Sequence, residues 1–260
     1  MSQEYLGSLF GLQGKNVVVT GAAGQLGQVF CRAFVAAGCR VYATDAVMAD
    51  KGLFDAPQLT YHVLDIVDIE AVDGFFEGLS ARGVHVDVLV NNAGVSVFEP
   101  FEERPEASFD WVMGVNLKGT FHCIRAYALQ VKKTGKAGAI VNIGSIYGVV
   151  SPDPRIYTDC ARKNSEVYGA TKAGIIQMTK YFAVHLAPEH IRVNCVSPGG
   201  IFNPQAPQGE DFVKNYSARC PMGRMADAQD MVGAVLYLSS QAAGYTNGQN
   251  LVVDGGSSSW

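Results

Sequence analysis

Tyr168 and Lys172 stand four residues apart in the run Tyr-Gly-Ala-Thr-Lys, a spacing that puts both on one face of a helix. A phenol exchanges protons poorly at neutral pH, because its ordinary pKa is about 10. An ammonium held beside it favours the phenolate, so the pair can serve as a general acid or base toward an alcohol oxygen. Of the eleven tyrosines, Tyr168 alone has Lys four places on. Other chemistries find less support. The six cysteines lack CxxC spacing and the five histidines stand apart with no HExxH, which disfavours a metal. Ser145 has no glycine two residues to either side, against a hydrolase nucleophile elbow. Gly14-Lys15 and Gly135-Lys136 lack the earlier glycine of a Walker A loop.

The elements that must position the pair are readable in order. Asn16 to Thr20 is a short β-branched run, followed by Gly21-Ala-Ala-Gly24-Gln25-Leu26-Gly27 and an apolar helical pattern. A strand, a glycine turn and a helix start in that order either make an ordinary tight turn or cradle a dinucleotide pyrophosphate on free backbone N–H groups. Cys39 to Asp45 reads as a second strand ending in an acid 24 residues past Gly21, near the place of a ribose-binding carboxylate. That carboxylate accepts from a 2′-hydroxyl and repels a 2′-phosphate, and Ala46 rather than Arg follows it. NAD is therefore expected over NADP; the alternative is a strand-end Asp capping a turn.

Residues 46–58 are too short for a long crossover helix. Leu59 to Leu64 is the third expected strand, with Asp65 and Ile66 placed to meet an adenine ring. Asp68 is expected to cap a helix to about Arg82. Val86 to Val90 runs into Asn91-Asn92-Ala93-Gly94, small and amide residues suited to a cofactor edge. Pro105 opens a long helix containing Asn116, which is either satisfied structurally or orders water. Gly138 to Ile143 delivers Gly144-Ser145. An irregular loop from Val149 to Ser165 leads to the Tyr168 helix, which runs to about Ala187. Ile191 to Val196 precedes Ser197-Pro198-Gly199-Gly200, and a Pro- and Gly-rich segment to Pro221 is a candidate mobile lid. A helix from about Asp227 to Ser239 and a strand from Asn250 to Asp254 complete the pattern. Strand and helix alternate throughout, predicting an α/β fold: one doubly wound, Rossmann-type parallel sheet of about seven strands with helices on both faces, as a single domain over 1–260.

Composition bounds the partners. Hydrophobic residues at 48% and charged residues at 17% suffice for one large core. A net charge of −4 gives no basic footprint for nucleic acid. No apolar run approaches the roughly 20 residues of a membrane span, and Met1 to Tyr5 lacks the features of an export signal. Scattered, unpaired cysteines point to a reducing, cytoplasmic setting. Arg155, Arg162 and Lys163 either reach an anionic substrate group or form a solvated loop with Asp153, Asp159 and Glu166.

Together these residues resemble the short-chain dehydrogenase/reductase superfamily over essentially the whole chain. The resemblance rests on Thr20-Gly21…Gly27, Asp65, Asn91-Asn92-Ala93-Gly94, Asn116, Ser145, Tyr168…Lys172, Pro198-Gly199 and Val253-Asp254-Gly255-Gly256. It implies that Tyr168 is the acid/base, that Ser145 orients the substrate oxygen, and that Lys172 holds the nicotinamide ribose and lowers the Tyr168 pKa. It also implies that Asn116 anchors a proton-relay water and that Pro198, Gly199 and Ile201 border the nicotinamide. Tyr147, Gly200 and Asn203 are expected beside the substrate, and the assembly is expected to be a homotetramer or dimer in which the Pro105 and Tyr168 helices pack across a two-fold axis. Three departures stand out. Gln25 fills the usual middle-glycine slot, giving the TGxxGxxG spacing of the sugar-nucleotide epimerase and dehydratase branch. Ser145 and Tyr168 lie farther apart than is common, implying an insertion at about 149–165. Asn203 replaces a frequent Thr. The insertion and its neighbouring motifs are similar to oxidoreductases of flagellin-modification and nonulosonic-acid pathways, which implies a sugar-like alcohol rather than a steroid or acyl-carrier substrate.

Overall fold

The computed structural model describes residues 3–48, 54–158, 163–206 and 208–260. Arg162 and Asp159 lie outside the described residues. Seven strands form one all-parallel sheet: β1 (Asn16–Thr20), β2 (Arg40–Asp45), β3 (Leu59–Val63), β4 (Val88–Asn91), β5 (Gly138–Ile143), β6 (Ile191–Pro198) and β7 (Asn250–Val253). Their order is β3-β2-β1-β4-β5-β6-β7, and Val17 registers with Val41 on one side and Val88 on the other. The unbroken Val17-Val18-Val19 run makes sense in such a sheet, because a central parallel strand is covered on both faces.

Val17 and Val19 face one core with Phe30, Phe34, Val235 and Leu238. Val18 faces the other with Phe76, Leu79, Ile124 and Tyr127. Covering the first face are α2 (Gln25–Ala36) and α8 (Val232–Ser239); covering the second are α3 (Ile69–Ala81), α5 (Thr120–Thr134) and α6 (Glu166–His185). Each buried Phe, Leu or Val in these layers contributes about 1.5–3 kcal/mol. Strands β1 to β3 are added toward one edge and β4 to β7 toward the other, so a crevice opens beyond the carboxyl ends of β1 and β4.

The expected sheet is present, and the differences lie elsewhere. A short helix, α1 (Gln3–Phe10), precedes β1; eight residues containing Gly7 give too little periodicity to read. The long helix after Pro105 is three pieces: α4 (Glu106–Met113), a π-helical turn over Gly114–Gly119, and α5. Within the expected lid lies a regular helix, α7 (Glu210–Arg219). Acids in its first turn and Arg219 in its last suit a helix dipole, a signal the glycines and prolines around it hide. The helix expected from Asp227 begins as a 3-10 turn, Ala228–Met231, closed by an Asp227–Asp230 capping box. Among the described residues, no helix is long and apolar enough to cross a membrane and no group of three His, Cys, Asp or Glu could hold a metal.

Candidate active site

β5 ends at Ile143, and the chain turns through Gly144 into Ser145, which caps a 3-10 turn over Ile146–Gly148 by accepting from the Tyr147 N–H at 3.1 Å. Two glycines make this placement possible. A Cβ on Gly144 would sit 2.5 Å from Ser197 Oγ on β6, and one on Gly148 would sit 2.7 Å from the Lys172 carbonyl carbon. The Ser145 turn is thus pressed directly against the backbone of α6. That helix starts at Ser165, whose hydroxyl accepts from the Tyr168 N–H, so the cap itself fixes the turn carrying the phenol.

Tyr168 and Lys172 share a face as expected, with the Lys172 ammonium 5.5 Å from the Tyr168 ring centre. Lys172 is 4% exposed and donates to the Ile143 carbonyl at 2.8 Å. Burial pulls its pKa down to about 8, and nearby Cys195 opposes that shift. Burial raises the Tyr168 phenol above its ordinary value, while its hydrogen bond with the Ser145 hydroxyl lowers it. Lys172 was expected to lower the phenol; its ammonium donates to the Ile143 carbonyl, and the contact that lowers the phenol, against the larger rise from burial, is the Ser145 hydroxyl.

Asn116 is fully buried on the π turn. Its Oδ1 accepts from the Val95 N–H at 2.7 Å, and its Nδ2 donates to the Val95 carbonyl at 2.9 Å and to Thr171 Oγ1 at 3.1 Å. Thr171 in turn donates to the Tyr168 carbonyl at 2.8 Å. Both amide hydrogens are engaged, and the side chain ties the β4 end to the Tyr168 helix. Glycines again permit the fit: a Cβ on Gly174 of α6 would lie 2.8 Å from Leu117, and one on Gly119 would lie 2.6 Å from Ile66.

At the other end of the crevice, Gly21 has φ +63° and a Cβ there would lie 2.6 Å from Ala93 Cα; a Cβ on Gly27 would lie 2.1 Å from the Gly21 carbonyl oxygen. Only glycine fits either place. No side chain caps α2, so the free N–H groups of its first turn suit a pyrophosphate. Asn92 fastens the turn, donating to the Thr20 and Gly21 carbonyls at 3.0 and 2.9 Å. Asp45 accepts from the Ala23 and Val47 N–H groups at 3.0 and 3.2 Å. It therefore caps its turn, and it also lines the crevice. Asp65 likewise accepts from the Val67 N–H at 2.9 Å. Gln25, in the unusual slot, reaches across to donate to the Phe202 carbonyl at 2.6 Å. These residues fit a dinucleotide cofactor.

One cleft of about 900 Å³ joins both ends. Lining it are Gly21, Gly24, Gln25, Leu26, Asp45, Asp65, Ile66, Asn92, Ala93, Gly94, Ser145, Tyr147, Tyr168, Lys172, Pro198, Gly199, Gly200 and Ile201. Four expected residues do not line it. Gly27 and Asn116 act from behind the wall. Asn203 caps its own turn by accepting from the Gln205 N–H, and Phe202 and Gln208 hold that turn to α2 and to the Ile201 carbonyl. Arg155 is turned to solvent, its side chain 74% exposed and paired with Asp153 two residues before it. The wall also includes Ser96, Trp111 and Asn164, none of them singled out in the sequence. Ser96, two places beyond Gly94, was the one with a positional signal.

Residues of the insertion and of α7 pack together. Ile156, Tyr216, Cys220 and Met225 form a small core with Tyr157 and Phe212 beside it. Asn215 donates to Thr158 at 2.9 Å and Asp153 pairs with Arg219. The Gly200 N–H donates to the Tyr216 hydroxyl, which anchors α7 to the end of β6.

A family model described as enoyl-(acyl carrier protein) reductase matches residues 21–258. The chain is 34% identical to a D-arabinitol 2-dehydrogenase (ribulose-forming) of Candida albicans (strain WO-1), over 96% of this chain and 95% of that one. It is 32% identical to a galactitol 2-dehydrogenase (L-tagatose-forming) of Cereibacter sphaeroides, over 97% and 98%. A solved structure of a short chain dehydrogenase from Leptospira borgpetersenii serovar Hardjo-bovis, with bound NAD+, superposes with a TM-score of 0.90 at 39% identity, covering 99% of this chain and 96% of that one. By sequence, sheet order and site, the chain belongs to the short-chain dehydrogenase/reductase superfamily and is an oxidoreductase.

Proposed function

We propose that the protein interconverts a secondary alcohol and its ketone on a polar, sugar-like or polyol substrate, with NAD as the cofactor. The observation that carries this reading is the convergence of Ser145, Tyr168 and Lys172 on one wall of a cleft whose far end presents the glycine turn and Asp45. Relatives named for arabitol and galactitol oxidation support the substrate class. Their activity is net redox, which favours a dehydrogenase over the cofactor-retaining epimerase that the glycine spacing raised.

Bound in the cleft, the nicotinamide supplies a two-electron hydride acceptor or donor. The chain's own residues place the substrate and move the proton. The Ser145 hydroxyl holds the substrate oxygen against the Tyr168 phenol, and Tyr168 takes that proton in oxidation or gives it in reduction. Lys172 keeps a positive charge behind the phenol, held in place by the Ile143 carbonyl. Asn116, through Thr171 and Val95, fixes the first turns of α6 relative to β4, a positioning role. Asp45 faces the ribose and disfavours a 2′-phosphate. Tyr147, whose hydroxyl bonds to Tyr157, and the Gly200 turn border the substrate, with the α7 unit as its lid.

Exposed Phe121, Leu129, Tyr181 and Val184 on α5 and α6 support assembly across those helices into a homodimer or homotetramer. Free, buried cysteines support a reducing cytoplasmic setting. The test is absorbance at the reduced-nicotinamide band across a panel of pentitols, hexitols and ketoses with NAD and NADP. Turnover of no polyol or sugar, with turnover of a 3-oxoacyl thioester, would remove the substrate reading.

A further inference from the structure

Two side-chain oxygens of residues on the wall of the cleft are unpaired. Ser96 Oγ and Asn164 Oδ1 are shielded from solvent and have no hydrogen-bond partner, yet both residues line the cleft that Ser145, Tyr147 and Tyr168 line. They come from different walls: Ser96 follows the end of β4, and Asn164 immediately precedes the Ser165 cap of α6. The neighbouring amides are otherwise engaged, Asn92 with Thr20 and Gly21 and Asn116 with Val95 and Thr171. A buried polar group left unpaired is costly and calls for an explanation. Turning Ser96 about χ1 breaks no hydrogen bond of its hydroxyl.

The chemistry of these two groups selects the ligand. A serine hydroxyl both donates and accepts, whereas an amide carbonyl only accepts. A carbinol carbon with a hydroxylated carbon on each side presents a donor to Asn164 and either partner to Ser96. An alkyl alcohol or a 3-oxoacyl thioester places methylenes at one or both of those positions and leaves the oxygens unpaired, which a site built around hydrogen bonds rejects. We infer that Ser96 and Asn164 are specificity residues that hold the hydroxyls flanking the reacting carbon of a polyol. This rests on the dehydrogenase reading above and narrows it to a vicinal triol.

The experiment compares wild type, Ser96→Ala, Ser96→Thr and Asn164→Ala on the best pentitol or hexitol of the panel, with NADH affinity measured by fluorescence quenching. Each alanine variant is expected to lose about 10-fold in kcat/KM, the worth of one hydrogen bond, with NADH Kd within about twofold of wild type. Ser96→Thr, which keeps the hydroxyl, is expected to recover most of the loss. A loss below twofold, or one matched by a parallel loss of NADH affinity, overturns the assignment while leaving the dehydrogenase reading intact. Wild-type preference for a polyol deoxygenated at both flanking carbons over its parent also overturns it. Wild-type failure on every polyol and sugar overturns both readings.

Discussion

Gly148→Ala adds one methyl group where the Ser145 turn meets α6. Its Cβ would lie 2.7 Å from Lys172 C, 2.8 Å from Ala173 N and 2.9 Å from Lys172 O. All three are backbone atoms, so no side chain can swing aside, and ordinary contact requires a shift approaching 1 Å. Overpacking of this kind costs about 1–3 kcal/mol, or roughly 2–10 °C in Tm for a chain of this size. The larger effect falls on chemistry. The turn carries Ser145 and α6 carries Tyr168, so the shift separates the two groups that must meet one substrate oxygen; a 1 Å misplacement costs on the order of 100-fold in rate. Gly78→Ala on α3 is the control, because a Cβ there meets nothing within 4 Å and helix propensity favours alanine by about 0.5–1 kcal/mol. The assay is kcat with saturating NAD and polyol, beside thermal melting of both variants. Wild-type kcat and Tm in Gly148→Ala would refute the account of how the turn is held.

Lys172→Met should abolish turnover yet melt higher than wild type at pH 7. Burial lowers the Lys172 pKa from 10.5 to about 8, so between those values the unfolded chain binds more protons, and this group's contribution to stability rises with pH. Below pH 8 the buried charge costs roughly 3 kcal/mol, which methionine removes; the difference in Tm between the two proteins should shrink from pH 8 upward. A variant that melts lower at pH 7 would contradict this. Asp45→Asn keeps an acceptor for the Ala23 or Val47 N–H and removes the charge. Repulsion of a 2′-phosphate is about 4 kcal/mol at an effective dielectric near 20, reduced by solvent at this half-buried carboxylate to about 1–2 kcal/mol. The NADP-to-NAD ratio of kcat/KM should therefore rise roughly tenfold; an unchanged ratio assigns Asp45 to turn capping alone.

What the sequence disclosed and what it hid follow a physical division. Tyr168 and Lys172 were legible because helical spacing is local, and Gly21 and Asp45 because a strand, a turn and a second strand fix their distance. Asn116 was visible as an anomaly, but its engagement with Val95 and Thr171 is made from a π turn, packed closely at Gly119 and Gly174, which local spacing does not reveal. Gly148 looks like a loop glycine until α6 is seen against it. For Arg155 the sequence leaves open an anionic substrate group or a solvated loop with Asp153, and the structure pairs it with Asp153 in solvent. α7 has Phe212, Val213 and Tyr216 as its only large apolar side chains on the packed face, too few to outweigh the prolines and glycines before it.

The central claim is that the Tyr168 phenol moves the proton while hydride passes at the same carbon. Tyr168→Phe tests it most directly in a single-turnover measurement of NADH formation with the preferred polyol, after NADH binding has been measured on the same sample. The account predicts a loss of at least about 100-fold in the chemical step, the scale of general acid–base catalysis, with NADH affinity little changed. Wild-type formation of NADH by that variant would contradict it.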